Sequence, residues 1–364
     1  SPWKDGKGDI VKEVSEACRE EGLKFGVYLS PWDVHEETYG TPAYNDYFCN
    51  QLTELCSNYG ELFCVWFDGA CRTADKVQGY DWDRYYSLIR KLQPNACISI
   101  CGPDVRWIGN EAGESREEEW SVVPKSIMVT ERNPGYWRQL DTMPNSTWKD
   151  IGSRDFIKDY DKLIWYPAEV DVSIRPSWGY VEGEEKQLYS LETLLYMYEK
   201  AVGGNATLLL NVPPNKEGLF DLEDVERLAE LGKAIRGLFS RPQTTGAKAF
   251  QKNGSNAEAI LDADRTHFVE LAGECQEIEI QLQGEHTIDF IVLKETIEKG
   301  QRVEKFAVDI WREDQWKEVY QATTIGYQRF GRIEPVQTEW VRVRILESRG
   351  TVYLTEIGLY HTEK

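Results

Sequence analysis

The sequence predicts an α/β protein, a (β/α)8-like barrel followed by an antiparallel β-sandwich. Up to about residue 240, short apolar runs alternate with segments of helical periodicity, which is typical of parallel strands surrounded by helices. Beyond that point, alternation of apolar and polar residues with turn signals between the runs replaces the helical pattern. A chain of 364 residues is also too long for one average domain and suits a barrel plus a second module.

The first part of the barrel region alternates between helical segments and strand-like runs. The first helix ends at Gly22, Pro31 breaks the apolar run that follows it, and Pro94 ends a later helix. In chain order, the predicted elements are a helix over 8–22, an apolar run over 25–33, a helix over 44–60, a strand over 62–70, a helix over 81–94 and a strand over 96–104.

The second part of the barrel region begins less regularly. Residues from about 114 to 180 are rich in Pro, Trp and charged groups, and they predict long loops that form the mouth of a pocket. A closing helix is predicted to be capped by Asp221 or Asp224. The regular elements that follow the loops are a helix over 186–204, a buried strand over 206–214 and that closing helix over 221–239.

The chain therefore divides into three predicted regions. The barrel occupies residues 1–240, and residues 241–248 form a linker because Pro, Gly and Thr replace the helical pattern. Residues 249–364 form the β-sandwich. Its short strand-like runs cover 257–262, 266–272, 276–282, 286–295, 304–311, 339–346 and 351–360.

Composition excludes several kinds of partner. A net charge of −20 and a pI near 4.8 repel phosphate backbones, and the chain has no basic stripe, so we expect no nucleic acid partner. No apolar run approaches the length of a membrane span. His35 is the only histidine of the barrel region and no Cys-x-x-Cys pair occurs, so we expect no metal and no cofactor. The cysteines, among them Cys64, Cys97 and Cys101, are predicted to be buried free thiols.

Two acidic residues follow apolar runs in the barrel region. Asp68 closes the run 62–67, and Glu111 lies in a Gly- and Asn-containing loop after the run 96–101. A carboxylate at the C-terminal end of a barrel strand faces the mouth where barrel enzymes do chemistry, and two of them suggest glycoside hydrolysis. The alternative is that such carboxylates cap helices or form salt bridges in loops.

The surroundings of the two acids suit different roles in a retaining glycosidase, which needs one ionised carboxylate and one protonated carboxyl group. Asp68 lies between Phe67 and Gly69 and is held rigidly, as a nucleophile should be. Glu111, in a more mobile loop, can exchange protons with water. The run 117–119 supplies its main rivals, although a run of charges predicts a solvated face.

The motifs around these acids resemble those of the α-L-fucosidases of glycoside hydrolase family 29, over nearly the whole chain. The shared segments are WFDGA, GPDVRWIGNEAG, AEVDVSIRPSWGY and GGNATLLLNVPPNKEGL. The resemblance implies a fucosylated oligosaccharide or glycoconjugate as substrate, with Asp68 as nucleophile, Glu111 as acid/base and Trp178 lining the sugar pocket. GPDVRWIGNEAG and VDVSIRP are most similar to the subfamily that acts on α-1,3- and α-1,4-linked fucose of Lewis-type glycans, whereas SWGY is shared more with the broad-specificity branch.

Further side chains near the two acids are candidates for substrate binding. Their positions at the ends of apolar runs place them at the mouth, although a structural role stays open for each. Arg106 could contact a hydroxyl or pair with an acid, and Trp107 could stack on the sugar or shield Glu111 from water. The candidates are Trp32, Asp33, Trp66, Arg106 and Trp107.

The resemblance also bears on the second domain and on the start of the chain. QRVEKFAVDIW, TTIGYQRF and VYLTEIGLY resemble discoidin-like (factor V/VIII type C) modules, for which we expect a bracing role rather than sugar binding. Family members carry two further barrel strands with histidines upstream of the segment that matches residues 1–14, so we expect the N-terminal strands to be missing from this chain.

Three alternatives stay open at this point. The chain could be a glycan-binding relative without catalysis, a broad-specificity α-L-fucosidase, or a retaining glycosidase for another deoxy or hexose sugar. The family implies export to the periplasm or the extracellular space, where glycans are met. The oligomeric state stays open.

Overall fold

The computed structural model describes residues 3–69, 77–131, 144–273 and 276–362 of the chain. Contacts between residues group the chain into two compact units, which are described separately. The first unit comprises Ser1–Gly109, Val123–Ile151 and Tyr160–Tyr166, and the second comprises Asn110–Val122, Gly152–Asp159 and Pro167–Lys364.

The first unit alternates short strands with helices, as the sequence predicts. Its helices are α1 (Ile10–Glu20), α2 (Tyr44–Asn58), α3 (Trp82–Leu92) and α4 (Lys125–Glu131). Its strands are β1 (Gly26–Tyr28), β2 (Cys64–Trp66), β3 (Cys97–Ser99), β4 (Arg106–Trp107), β5 (Val122–Pro124) and β6 (Leu163–Trp165).

Local signals account for the start of two of these helices. The side chain of Asp9 accepts the backbone N–H of Lys12 at 3.0 Å, and the side chain of Asp81 accepts that of Arg84 at 3.2 Å. Each contact satisfies one of the N–H groups that a helix leaves without a partner at its first turn. These caps place the helix starts close to the positions that the sequence predicts.

A parallel sheet lies at the centre of the first unit, in the order β1-β2-β3. Tyr28 of β1 stands beside Trp66 of β2, which stands beside Ser99 of β3. Helices α2 and α3 cover the sheet with aromatic side chains, so that Phe48 contacts both Tyr85 and Phe67. The six cysteines in the described part of the chain are free thiols, which confirms the predicted thiol state there. Cys101 is buried as predicted, whereas Cys64 and Cys97 are only partly buried.

The second unit begins with a parallel pair of strands and three helices. They are α5 (Arg154–Ile157), β7 (Ala168–Ser173), α6 (Leu191–Val202), β8 (Ala206–Asn211) and α7 (Leu222–Leu238). β7 pairs with β8 in parallel, from Ala168 beside Ala206 to Ser173 beside Asn211. The prediction of long loops from about 114 to 180 is wrong for five short elements: β5, α4, α5, β6 and β7. In β7, acidic residues alternate with valines in a strand that is buried along its whole length.

An antiparallel sheet forms the rest of the second unit, and the prediction of antiparallel strands is confirmed. Its strands follow the order β10-β15-β11-β14-β12-β13, and β9 pairs with β11. They are β9 (Lys248–Gln251), β10 (Val269–Leu271), β11 (Glu277–Glu295), β12 (Val303–Arg312), β13 (Gln315–Ala322), β14 (Arg329–Ser348) and β15 (Val352–Tyr360).

The strand lengths differ from those expected. β11 is 19 residues long and joins two predicted runs, because the ladder continues past an irregularity between Gln281 and His286 in which Gly284 takes a φ of +99°. β13 was not predicted, since an irregularity in its pairing with β12 breaks the alternation of apolar and polar residues. The predicted strand over 257–262 is instead a 3-10 helix, Glu258–Leu261.

The predicted linker over 241–248 stays a prediction. The second unit continues through these residues, and β9 begins at Lys248. The closed barrel, the second sheet of a sandwich and the expectation that N-terminal strands are missing likewise stay predictions. Among the helices of the described ranges, none combines the length and apolar character needed to span a membrane.

Candidate functional site

In the first unit, the strand β2 delivers Asp68 to the C-terminal edge of the parallel sheet. The hydroxyl of Tyr28 donates a hydrogen bond of 2.6 Å to Oδ2 of Asp68. The two residues meet because Tyr28 ends β1, whose register places it beside Trp66, two residues before Asp68. The rings of Tyr28 and Trp66 stack with their centroids 5.2 Å apart at an interplanar angle of 19°.

The phenol of Tyr28 is held in its neutral form. Although 58 % of the residue is exposed, partial desolvation of the hydroxyl, together with the hydrogen bond and the charge of Asp68, raises its pKa above the ordinary value for tyrosine. The hydroxyl therefore remains a proton donor throughout the neutral pH range and orients the Asp68 carboxylate. Tyr28 was missed by the sequence analysis, because its position beside Trp66 depends on the register between two strands that are far apart in the chain.

Asp33 and Trp32, in the loop after β1, have contacts that suit a structural role. Oδ1 of Asp33 accepts the backbone N–H groups of His35 at 2.8 Å and of Glu36 at 3.0 Å, which closes a turn. Trp32 is half-buried against the core of the first unit, and its Nε1 makes no hydrogen bond to any described residue. Substrate binding by either residue stays a prediction.

Arg106 lies on β4 and is fully buried, and the choice between a structural role and substrate contact stays open. Its Nε donates a hydrogen bond of 3.0 Å to the carbonyl of Tyr166, whose own hydroxyl donates to the carbonyl of Gly102 at 2.8 Å. This hydrogen bond gives Arg106 a structural contact, and substrate binding by Arg106 stays a prediction. Trp107 and Trp66 are half-buried against the same core.

In the second unit, Glu111 lies exposed in the loop that precedes β5 and contacts one aromatic residue. The indole Nε1 of Trp178 donates a hydrogen bond of 3.3 Å to Oε2 of Glu111. Trp178 is 41 % exposed. Its carbonyl accepts a hydrogen bond of 2.9 Å from Nδ2 of Asn211, which ends β8 and also bonds Ser173 at the end of β7. The parallel pair therefore sets the position of the indole that touches Glu111.

The loop that carries Glu111 lies along helix α6. Gly113 has a φ of +83°, and a Cβ there would collide with the side chain of Met197. Ser115 donates a hydrogen bond of 2.7 Å to the carbonyl of Lys200, and the hydroxyl of Tyr196 donates one of 2.9 Å to Oε1 of Glu114. Tyr196 was also missed by the sequence analysis, since its helical position alone does not tell which loop packs on α6.

The acidic run that follows, 117–119, makes structural contacts. The prediction of a solvated face is wrong for Glu119, whose side chain is buried and forms a salt bridge of 2.9 Å with Arg116. Glu118 accepts a hydrogen bond of 2.8 Å from Nε1 of Trp120. These contacts weaken Glu118 and Glu119 as rivals of Glu111 for a role with substrate.

The two acidic residues singled out in the sequence stand in different settings. Asp68 is half-buried and receives a hydroxyl donor, whereas Glu111 is exposed and receives an indole donor. Within the described ranges, no three or more His, Cys, Asp or Glu side chains form a group suited to a metal ion.

Comparison with known proteins shows what the chain resembles. Residues 3–236 match the profile of the alpha-L-fucosidase family. A rice protein (Oryza sativa subsp. japonica) described as a candidate alpha-L-fucosidase 1 is 35 % identical over 99 % of this chain and 68 % of its own length. A crystal structure from Bacteroides ovatus ATCC 8483, described as a candidate alpha-L-fucosidase, has a TM-score of 0.88 and 41 % identity. The similarity extends over all of this chain, which spans 60 % of the length of the Bacteroides protein.

A more distant structure was solved with a sugar. The Ruminococcus gnavus fucosidase of glycoside hydrolase family 29, in complex with fucose, has a TM-score of 0.83 and 27 % identity over 99 % of this chain and 76 % of its own.

Proposed function

Because the chain belongs to the alpha-L-fucosidase family, we propose that it is a retaining, exo-acting α-L-fucosidase that releases α-1,3- or α-1,4-linked fucose from Lewis-type glycans. The observation that carries the proposal is the contact between Tyr28 and Asp68, because it holds a carboxylate at a strand end within the matched segment. The place of action in this proposal is the periplasm or the extracellular space, where such glycans occur.

The proposal assigns Asp68 as nucleophile. Its ionised carboxylate attacks the anomeric carbon of the fucosyl residue, a C–O bond to Asp68 forms, and the bond to the glycosidic oxygen breaks. The hydroxyl of Tyr28 keeps the carboxylate oriented for this attack without supplying a proton, since its pKa is raised. The exposed indole of Trp178 offers a flat apolar face on which a sugar ring can stack.

Glu111 acts as acid/base in the same proposal. Its protonated form gives a proton to the departing oxygen, and its carboxylate then takes a proton from the water that attacks the anomeric carbon. That second attack breaks the bond to Asp68 and releases fucose with its original configuration. The exposure of Glu111 supports this assignment, because the residue must exchange a proton with water once in each cycle.

The proposed architecture is a (β/α)8-like barrel for residues 1–240 and a discoidin-like β-sandwich for residues 249–364. The parallel ladders β1-β2-β3 and β7-β8 support the barrel, and the antiparallel sheet with its apolar core supports the sandwich. Asp68 follows the C-terminal end of β2 and Trp178 follows that of β7, the end of the strands at which barrel enzymes carry their functional residues.

The test of activity is release of free fucose from the Lewis a trisaccharide and from an aryl α-L-fucoside. We expect Asp68→Ala to abolish release from both substrates, and Glu111→Ala to spare the aryl substrate, whose leaving group needs no proton. Glu230→Ala, which removes an exposed carboxylate that pairs with Arg227 on α7, is the matched control. Absence of release from both substrates with the wild-type protein would reject the enzyme and favour the glycan-binding alternative.

The nucleophile and the linkage each have a further test. Azide added to Asp68→Gly should yield β-fucosyl azide, whereas the α-anomer from that variant would reject Asp68 as nucleophile. An α-1,2-linked fucosyl oligosaccharide tests the linkage, since the motifs GPDVRWIGNEAG and VDVSIRP favour the α-1,3/1,4 subfamily and SWGY does not. Comparable turnover of both linkages would replace the proposal with broad specificity.

A further inference from the structure

The segment Glu117–Ser121, which follows the loop of Glu111, is held by the antiparallel sheet of the second unit. Its backbone polar groups bond to side chains that the sheet and its connections supply, whereas the proposed function uses none of these side chains. Such contacts matter because a proton donor works only within hydrogen-bond reach of its target. The contacts therefore bear on how Glu111 is positioned.

Gln301, which precedes β12, makes two of these contacts with one amide group. Its Nε2 donates a hydrogen bond of 2.9 Å to the carbonyl of Glu119, and its Oε1 accepts one of 2.9 Å from the N–H of Ser121. The side chain is buried, so water does not replace either bond at low cost. Gln301 thus pairs with the segment as a neighbouring strand would.

The carbonyl of Glu117 is held from the connection between β13 and β14. Oγ1 of Thr323 donates a hydrogen bond of 2.6 Å to it, and Nη1 of Arg329 donates one of 2.9 Å. Arg349, at the end of β14, places its guanidinium over the ring of Trp120 with 3.4 Å to the centroid. Contacts from three parts of the sheet therefore converge on five consecutive residues.

Asn205 adds an indirect contact from the turn before β8. Its Nδ2 donates a hydrogen bond of 3.0 Å to the carbonyl of Glu119, and its Oδ1 accepts one of 2.8 Å from the N–H of Tyr327. Its φ of +65° is a left-handed backbone conformation that asparagine tolerates better than most residues. The side chain bridges the segment and the β13–β14 connection.

One buried carboxylate ties together the two sheet connections that hold the segment. Oε1 of Glu295 accepts the N–H groups of Arg302 at 2.7 Å and Val303 at 3.0 Å, next to Gln301. Its Oε2 accepts the N–H of Gly326 at 2.7 Å, in the β13–β14 connection. Glu295 therefore holds the two connections in a fixed position relative to each other, independently of their contacts with the segment.

The loop of Glu111 follows β4, whose Arg106 is buried, and leads into the segment Glu117–Ser121. Asn110 closes a local turn by bonding Ala112 and Glu114, and Glu111 itself has a long hydrogen bond of 3.3 Å to Trp178. The contacts of Ser115 and of Glu117–Ser121 fix the downstream end against α6 and the sheet. The position of Glu111 therefore depends in part on what holds the chain just after it.

We propose that the C-terminal antiparallel sheet positions the acid/base residue. Gln301 is the main positioning residue, and Thr323 and Arg329 contribute through the carbonyl of Glu117. This inference rests on the proposed function for its effect on catalysis. Gln301 touches no substrate in this scheme. It acts through Glu119 and Ser121 on the loop that carries Glu111.

The test compares Gln301→Met with a matched control. Methionine keeps the length of the side chain and removes both hydrogen bonds. Arg332→Met is the control, because Arg332 also joins the sheet to α6, through a pair with Glu199 at 2.5 Å, without touching the segment 117–121. Each variant removes a contact that the sheet makes with another element. Only Gln301→Met removes a contact with the segment 117–121, which follows the loop of Glu111.

The readout is the ratio of kcat/KM for a fucosyl oligosaccharide to that for an aryl fucoside with a good leaving group. We expect Gln301→Met to lower this ratio about tenfold, since only the oligosaccharide needs a well-placed proton donor. Arg332→Met should leave the ratio within about twofold of the wild type. Equal losses on both substrates in Gln301→Met, or no loss, would overturn the positioning role.

A second readout is independent of activity. Amide hydrogen exchange over residues 111–116 should be faster in Gln301→Met than in the wild type and unchanged in Arg332→Met. Unchanged exchange in Gln301→Met overturns the inference even if the protein is an active fucosidase. If the wild type releases no fucose, the proposed function fails, and the exchange result still decides whether the sheet holds the loop.

Thr323→Val provides the same comparison should Gln301→Met fail to fold. It removes one donor to the carbonyl of Glu117 and leaves Arg329 in place. We expect a smaller change of the substrate ratio, about threefold, and faster exchange in the same loop. Wild-type values in both measurements would overturn the inference.

Discussion

The hydroxyl of Tyr28 donates a hydrogen bond of 2.6 Å to Oδ2 of Asp68 across two parallel strands. The carboxylate of Asp68 is the proposed nucleophile, and the pKa of the Tyr28 phenol that bonds it is raised. A donor that does not lose its proton orients the carboxylate without competing as an acid.

Tyr28→Phe is therefore expected to lower kcat/KM by about three- to tenfold, because a partly exposed hydrogen bond to a charged group is lost while the stacked ring remains. Steady-state kinetics with an aryl fucoside checks this. Tyr353→Phe, which removes a tyrosine hydroxyl from β15, serves as control. Equal activity of Tyr28→Phe and wild type would show that the contact does not orient Asp68.

Trp178→Phe tests the donor to Glu111. Phenylalanine keeps an aromatic face but has no N–H, so turnover of an oligosaccharide should fall by roughly threefold to tenfold. Trp178→Ala should cost more, since it also removes the exposed ring. The measurement is kcat/KM for each variant. Identical losses in the two variants would mean that the hydrogen bond, rather than the ring, accounts for the effect.

Asp224→Ala is expected to lower the free energy of unfolding by about 3–5 kcal/mol, because it leaves the buried guanidinium of Arg175 without one of its charge partners. Asp224 bonds both Nε and Nη2 of Arg175, and both side chains are fully buried. Urea unfolding followed by circular dichroism measures the change. Asp221→Ala, which removes a more exposed partner of the same arginine, should have the smaller effect.

Glu295 should make stability depend on pH. Burial raises its pKa from 4.5 to about 7, although the N–H groups of Arg302, Gly326 and Val303 oppose the shift. The folded protein then binds the proton more tightly than the unfolded chain does, so this contribution to stability is complete below about pH 4.5 and is lost as the pH rises to about 7.

Glu295→Gln removes that titration. The difference in melting temperature between the wild type and Glu295→Gln should therefore change between pH 4.5 and 7, with the wild type losing stability relative to the variant as the pH rises. Thermal unfolding in a series of buffers measures it. Glu270→Gln, on the exposed side of β10, is the control. A parallel pH dependence of wild type and Glu295→Gln would contradict the prediction.

The sequence by itself determined the features that depend on near neighbours in the chain. Asp9 and Asp81 mark helix starts because a cap bonds an N–H only three residues away. The alternation after residue 248 indicated antiparallel strands because successive side chains on a strand face opposite sides. The position of Asp68 after an apolar run likewise indicated a carboxylate at a strand end.

The tertiary structure alone decided which distant residues meet. The register of β1 on β2 brings Tyr28 to Asp68, and the burial of Glu119 and Arg106 depends on elements packed over them. Gln301 meets Ser121 across 180 positions of the chain. Periodicity and caps report local geometry, whereas register and burial arise from contacts between elements that no short window of sequence contains.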